Sequence, residues 1–457
     1  MTEGRPYDVV IVGCGPAGIF AALELVEKTE LRILLLERGP DLTERQGAGQ
    51  HLVKDWRISG WGGSGAFSDG KLSLSPEVGG WLQDYISRRE LGRLIQHVDN
   101  IYVSFGAPAK LYGADEDRIR EIERRAALAG MRLIRNRIRH LGTENCPHIL
   151  EKIRGHIQRR AEIRTNVEVS NILTENGRVR GVETGDHERI YSKYVIAAPG
   201  RVGAEWLTAE AHKLGLRTLQ NPVDLGVRVE VPADVLEEIS RATYEPKFVY
   251  VSKTFDEPVR LFCLCPNGEV ITEEYDDVTT VNGHSYAERP SKNTNFAILV
   301  STNFTQPFKE PIAYGKYIAR LANLLGGGII VQRLGDLEMG RRSTEKRLQG
   351  NLVEPTLKEA TPGDLSFALP YRHLKNVKEM LRALNQVAPG IYEKHTLLYG
   401  IEVKFYSSRM ELNSSLETRV RNLFTVGDGA GITRGLMQAS ISGVIAAREI
   451  AKRETGT

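Results

Sequence analysis

Cysteine is scarce in this 457-residue chain, which has only Cys14, Cys146, Cys263 and Cys265. Four scattered thiols cannot staple a small disulfide scaffold. The chain also has no Cys-x-x-Cys pair, the spacing that a zinc site or a disulfide-reductase centre needs, so reduced thiols and no metal are expected. Long apolar runs are missing too: none nears the ~20 residues of a membrane-spanning helix. The opening Met1-Thr-Glu-Gly-Arg-Pro6 lacks the basic-then-apolar order of a secretory leader. No integral membrane segment and a cytoplasmic location are therefore expected. Charge of one sign is not in excess, and a formal net charge of +3 gives composition no reason to favour nucleic acid or an anionic membrane. Internal repeats and low-complexity tracts are also missing, which excludes solenoids and propellers.

What is present is enough apolar content, 41%, for two to three domains with real cores. The most informative stretch lies near the start. Asp8-Val-Val-Ile-Val12 runs into Gly13-Cys-Gly15-Pro-Ala-Gly18, and Glu37 follows 19 positions after the last glycine. With 45 glycines in the chain the bare pattern is weak, and its context carries the weight. A strand precedes it, an amphipathic helix with Ile19, Leu23 and Val26 on one face follows, and a second strand, Arg32 to Leu36, ends at the acid. Gly13 permits the tight turn, Gly15 lets backbone N–H groups approach a pyrophosphate, and Gly18 lets the helix that begins with Pro16 and Ala17 pack closely. The pyrophosphate then sits on the positive end of that helix. Glu37, with Arg38 beside it, is placed to accept hydrogen bonds from a ribose 2′-hydroxyl, where a 2′-phosphate would meet like charge.

The rest of the chain reads as α/β. A glycine-rich loop from Ser59 to Gly70 is followed by polar helical sequence to about residue 130, and strand-like pattern resumes at Leu133. Between Glu162 and Gly200, runs at Ile163 to Val169, Arg178 to Glu183 and Ile190 to Ala198 suggest an antiparallel meander returning to a buried strand. Residues 216–395 turn β-rich with interleaved helices. Leu423 to Gly431 then reads as a short apolar strand ending in glycines, and Leu436 to Arg453 as a helix. The expected architecture is a Rossmann-like domain, discontinuous over 1–215 and 396–457, with an inserted α+β substrate or cap domain at 216–395.

Taken together, the GxGxxG turn, Ala197-Ala-Pro-Gly200-Arg201 and Val426-Gly-Asp-Gly429 resemble the FAD proteins of the glutathione reductase structural class. Trp61 to Leu72, Phe262 to Val270, Leu398 to Tyr406 and Gly427 to Gly435 are similar, more narrowly, to the FAD-dependent dehydrogenases of bacteria and archaea. The resemblance covers nearly the whole chain. It implies FAD, with Gly427 and Asp428 at the ribityl hydroxyls and Gly429, Ala430 and Gly431 opening a helix that faces the isoalloxazine, and with Gly435 and Leu436 also at the cofactor. It also implies Ala198 and Gly200 at the cofactor, Val169 supplying backbone to the adenine, and Gly63, Ser64, Gly65 and Ser68 passing the pyrophosphate and flavin. Only one dinucleotide fingerprint is present, because Gly326-Gly-Gly328 lacks the six-residue pattern. If NAD(P)H donates electrons, it must therefore dock transiently.

Flavin carries the redox chemistry, so the protein need only orient substrate, stabilise charge and supply an acid or base. Asp69 or Lys71 in the glycine-rich loop could be a proton or charge partner, against a reading of loop-capping and a solvated lysine. Tyr399, Glu402, Lys404 and Tyr406 lie on one expected strand, with the last three sharing a face. They suit general acid/base work or, equally, an inter-strand ion pair. Arg434, with Thr433 and Gln438 near it, could stabilise an anionic reduced flavin or a substrate carboxylate. Cys263 and Cys265 read as core cysteines, since a disulfide between residues two apart is strained. Arginines in Met131 to His140 and in Gly340-Arg-Arg-Ser343 read either as solvated faces or as an anion clamp, so an anionic small-molecule substrate is one reading. The basic run lacks the aromatic interleaving of a single-strand nucleic-acid binder, and oligomerisation stays open.

The expected function is an FAD-dependent oxidoreductase moving a hydride between flavin N5 and an organic substrate held between the two domains, by dehydrogenation or double-bond reduction. A flavin monooxygenase and an FAD-binding or sensor protein without turnover are the alternatives.

Overall fold

Five aliphatic segments build a parallel sheet in the order Ala161–Arg164, Ile33–Leu36, Tyr7–Val12, Arg189–Ala197 and Leu423–Thr425. Ile33–Leu36 and Leu423–Thr425 are buried at every position, which is why they read as continuous apolar runs and not as alternation. The structure is a computed structural model describing residues 6–47, 58–68, 70–275, 277–285, 290–305, 308 and 310–456. The first five residues, which belong to the leader reading, and Asp69 lie outside the described residues.

Arg189–Ala197 changes partners along its length. Its start pairs antiparallel with Arg178–Thr184, itself paired with Val169–Glu175, while its end runs parallel to Tyr7–Val12. This is the expected meander. The helix Pro16–Lys28 begins with proline at its first turn, where a missing N–H costs nothing. It packs against Leu436–Thr455 so closely that a Cβ on Gly443 would collide with the Ala17 carbonyl.

The chain divides into two compact units: residues 1–111, 138–221 and 407–457, and residues 112–137 and 222–406. The expected boundaries at 215 and 396, and the expectation of a single insertion, are corrected by strand pairing. Leu397–Lys404 is flanked by Val223–Pro232 on one side and Ile330–Arg333 on the other, so it is an inner strand of the second unit. Met131–Ile134 adds to the same sheet beside Lys247–Val251. That eight-stranded sheet runs Thr361–Pro362, Ile330–Arg333, Leu397–Lys404, Val223–Pro232, Asn293–Thr302, Pro258–Cys265, Lys247–Val251, Met131–Ile134. Its core also takes in the helices Glu116–Leu128 and Tyr371–Val387.

The basic run at 131–140 is accordingly not one half-exposed strand but two, Met131–Ile134 and Ile138–His140. Arg135 and Arg137 pair with Glu116, and Arg135 also with Glu123. Arg139 is buried in a bidentate pair with Asp99 at 2.6 and 2.8 Å. These partners favour the structural reading of the run over an anion clamp.

Candidate FAD site

The first unit brings three sequence-distant turns together at the carboxyl ends of its parallel strands, the place where open α/β sheets bind ligands. Gly13 leaves the Tyr7–Val12 strand at φ +100°, and a Cβ there would collide with the Ala198 carbonyl. Gly18 is equally confined, against the Gly13 carbonyl. Gly200 presents its carbonyl where a Cβ of Gly429 would fall, so the Ala198–Gly200 turn touches both the first glycine motif and the last.

Gly15 differs from Gly13 and Gly18, because a Cβ built on it meets nothing within 4 Å. Gly200 and Gly435 also face open space. These open positions lie on the turns that carry the glycine motifs, and the start of the Pro16–Lys28 helix adds N–H groups that have no intrahelical partner. Gly427, whose N–H donates to Ser442 Oγ at 2.9 Å, sets Asp428 in place. Asp428 accepts from Thr433 Oγ1 at 2.8 Å, and Arg201 Nε lies 3.9 Å away. Burial raises the Asp428 carboxyl above the ordinary aspartate range, with Arg201 pulling the other way. A half-buried carboxylate held beside open glycine turns fits the polyol and diphosphate of a dinucleotide.

Glu37 is buried and its carboxylate is already engaged, accepting backbone N–H bonds from Cys14 at 2.7 Å, Gly60 at 2.9 Å and Gly39 at 3.0 Å. It clamps the glycine motif to the loop at Gly60 and retains lone-pair capacity for a hydroxyl donor. Arg38 is exposed. Val169 sits in the meander opposite Thr184; the valine whose N–H bonds back to the Glu37 carbonyl is Val167, at 2.9 Å. Gly63 and Gly65 lie against Gly15 and Pro16. Gly65, Pro16 and Leu436 line one small apolar cavity. Ser64 is exposed, and Ser68 caps its own loop through the Gly65 carbonyl and the Gly70 N–H. Lys71 starts a short strand opposite His140.

The long helix begins at Leu436 after Gly435, and Asp428–Ala430 forms a 3₁₀ turn instead. This corrects the helix start expected at Gly429 to Gly431: left-handed Gly431 at φ +70° interrupts the run. The Arg434 N–H donates to the Gly79 carbonyl at 2.6 Å, and Gly80 bridges Thr433.

Two contributors escaped sequence reading. The segment Val78–Trp81 pairs with Ile432–Arg434, and Gln438 donates to the Val78 carbonyl. Its Gly79-Gly80 pair was the available signal. Arg45 is fully buried and donates to the Trp61 and Gly63 carbonyls at 2.7 and 3.1 Å, bracing the glycine-rich loop. Burial pulls its guanidinium down to about 10. Nothing in the sequence distinguishes it from a surface arginine.

Tyr399 and Glu402 belong to the second unit and are fully buried. Tyr399 donates to Glu230 at 2.5 Å. Glu402 pairs with Arg228 at 2.9 Å and with Lys404 at 3.3 Å, and burial raises both its carboxyl and that of Glu230. Tyr406, expected on their face, bonds instead to Asp224 with Arg260. The inter-strand ion-pair reading of this cluster is the one the geometry favours. Arg341, likewise, binds Asp336 at 2.9 Å. Among the described residues no cluster of three or more His, Cys, Asp or Glu could hold a metal, and no helix is long and apolar enough to cross a membrane.

Residues 8–225 match the family described as FAD dependent oxidoreductase, and residues 222–405 match FAD-dependent protein, C-terminal domain-like. The protein is an FAD-dependent oxidoreductase. The division between the two matches, at 222–225, falls where the second compact unit resumes after its 112–137 segment. An uncharacterized protein of Clostridium beijerinckii is 27% identical over 483 aligned positions, covering 99% of this chain and 81% of the relative. Solved structures similar to the chain include a pyridoxine 4-oxidase from Mesorbium loti, with TM-score 0.48, 14% identity and 99% of each chain covered. A formate oxidase from Aspergillus oryzae has TM-score 0.49, 10% identity and full coverage of both chains.

Proposed function

We propose that the first unit binds FAD in the manner of the glutathione reductase structural class and that the second is the substrate domain of an enzyme acting on a small organic molecule. The observation that carries this reading is that a Cβ would meet nothing at Gly15 and Gly200, on the turns beside Asp428, while Gly13, Gly18 and Gly429 are confined by backbone. Gly15, at φ −78°, needs no glycine for its backbone, so the open space beside it is room for a ligand in place of a side chain. When bound, FAD supplies two-electron chemistry, exchanging a hydride at N5 with the substrate. Asp428 holds the ribityl hydroxyls, the amides at the start of Pro16–Lys28 hold the pyrophosphate, and Glu37 receives a ribose hydroxyl on its remaining lone pair. Arg434, beside the turn that precedes the long helix, stabilises negative charge on the reduced cofactor or on a substrate carboxylate. Glu402 and Tyr399 keep the second unit's core paired and take no part in proton transfer.

NAD(P)H acts, on this reading, as a transient donor. An anaerobic titration with NADH and NADPH, following the oxidised flavin band, tests that step. Bleaching by either nucleotide supports it. An unbleached yellow protein transfers the donor's role to the organic substrate or a protein carrier, and a colourless preparation that takes up no FAD overturns the whole reading.

A further inference from the structure

The second unit holds a pair of thiols that the flavin chemistry leaves unused. Cys263 and Cys265 end the Pro258–Cys265 strand, where a regular pleat would send both side chains to one face as inert core. The backbone departs from that pleat. Cys263 has φ +48°, and the pairing with Asn293–Thr302 shifts register between Phe262 and Cys265, which marks a β-bulge. Bulges re-aim side chains, and a non-glycine residue held at positive φ is strained. Here Cys265 Sγ lies 3.7 Å from the Cys263 carbonyl oxygen, so the bulge folds the second thiol back toward the first residue.

The buried Arg228 guanidinium donates to the Cys263 carbonyl at 2.7 Å. The hydrogen bond from Cys265 and the Arg228 charge hold the Cys263 thiol well below its ordinary range, with burial and Glu245 opposing. Cys263 is partly exposed, whereas Cys265 is buried behind it. A partly exposed thiol with a second two residues away on the same bulge is the arrangement of a sensor or peroxide-reacting cysteine with its resolving partner.

We propose that Cys263 and Cys265 form a redox-active dithiol that closes reversibly to a disulfide when a hydroperoxide is present. The Cys263 thiolate attacks the terminal oxygen, so that an S–O bond forms as the O–O bond breaks, and the departing alkoxide or hydroxide takes a proton to leave as alcohol or water. Cys265 sulfur then attacks the sulfenic sulfur: the S–S bond forms, the S–O bond breaks, and hydroxide leaves with the Cys265 proton as water. Two thiols lose two electrons and the peroxide gains them. A ring closed over so short a span is strained, which makes the disulfide easy to reduce again by a small dithiol, as labile disulfides are.

The test uses the full-length holoprotein, reduced and then desalted anaerobically, with hydrogen peroxide as probe. After stoichiometric peroxide and alkylation, the peptide carrying Cys263 and Cys265 should be about 2 Da lighter than its dithiol form and unalkylated, and dithiothreitol should restore it. Its oxidation should outpace that of Cys14 and Cys146 in the same molecule by about tenfold or more. In Cys265→Ser, dimedone should label Cys263 as a trapped sulfenic acid. Equal oxidation rates at all four cysteines would overturn the proposal, as would conversion of Cys263 to sulfinic acid while Cys265 stays a thiol. The peptide measurement needs no variant, so a variant that fails to fold leaves the outcome decided.

Discussion

At the scale of single residues, glycines separate by what a Cβ would meet. Gly13→Ala would place a methyl on the Ala198 carbonyl at a positive φ, so the apo protein should lose several kcal/mol, the order found for strained or overpacked core sites. Gly15→Ala should keep the wild-type apo melting temperature, because its φ of −78° suits any residue and the space is open. It should nevertheless weaken FAD binding; tight FAD binding by Gly15→Ala would show that the pyrophosphate lies elsewhere. Asp428 gives a second separation. Its carboxyl is raised by burial, so folding disfavours its ionised form, and that cost is present at any pH above the raised value. Asp428→Asn should therefore melt no lower than wild type as apoprotein near neutral pH, yet bind FAD about 10- to 100-fold more weakly for the lost charged hydrogen bonds. Fluorescence titration of apoprotein alongside thermal melts reads both quantities.

Within elements, the buried pairs decide which charged residues are structural. Arg228 and Glu402 are completely enclosed on adjacent strands, and removing one partner leaves the other charge buried, typically about 3–5 kcal/mol. Glu402→Gln should thus lower stability by roughly that amount, measured by denaturant unfolding, while flavin reduction per folded molecule is unchanged. A reduction rate that falls by orders of magnitude in the folded variant would restore the acid/base reading. The strand that carries Glu402 also shows how an element can be read correctly and assigned wrongly. Leu397–Lys404 was legible as a strand, and its eight residues are all buried, but it pairs on both edges with strands of the second unit. No local pattern announces which sheet a two-sided strand joins. The helix Leu436–Thr455 was legible, start included, from its Ala and Ile content, whereas the start that the resemblance implies at Gly429 to Gly431 is a 3₁₀ turn, because left-handed Gly431 interrupts the run.

For the whole molecule, acid sensitivity has an identifiable buried source. His373 is 3% exposed and bonded to Thr302 Oγ1 at 2.9 Å. Burial, helped by Arg372, pushes its imidazole down to about 4. Above its ordinary value both folded and unfolded chains carry it neutral. As pH falls below about 6.5 the unfolded chain takes up the proton first, so stability declines until the folded value is reached, with a total near 3 kcal/mol. Between about pH 7 and pH 5 the wild type should lose about 2 kcal/mol more than His373→Gln. Parallel stability curves for the two would remove His373 as the source.

The sequence by itself determined the βαβ start, the meander, and the strand and helix near the carboxyl terminus. Those features are periodicities and turn chemistries written within a few dozen residues, and each is local enough to act alone. Tertiary structure decided the rest. It alone placed residues 112–137 and 397–404 in the second unit, because sheet membership is settled by which edges remain free to pair. It alone put Arg45 and the Val78–Trp81 segment at the candidate site, because their roles come from carbonyls that only the folded chain brings to them. It also turned Cys263 and Cys265 from apparent core residues into a thiol pair, because a bulge forms only where two strands meet out of step.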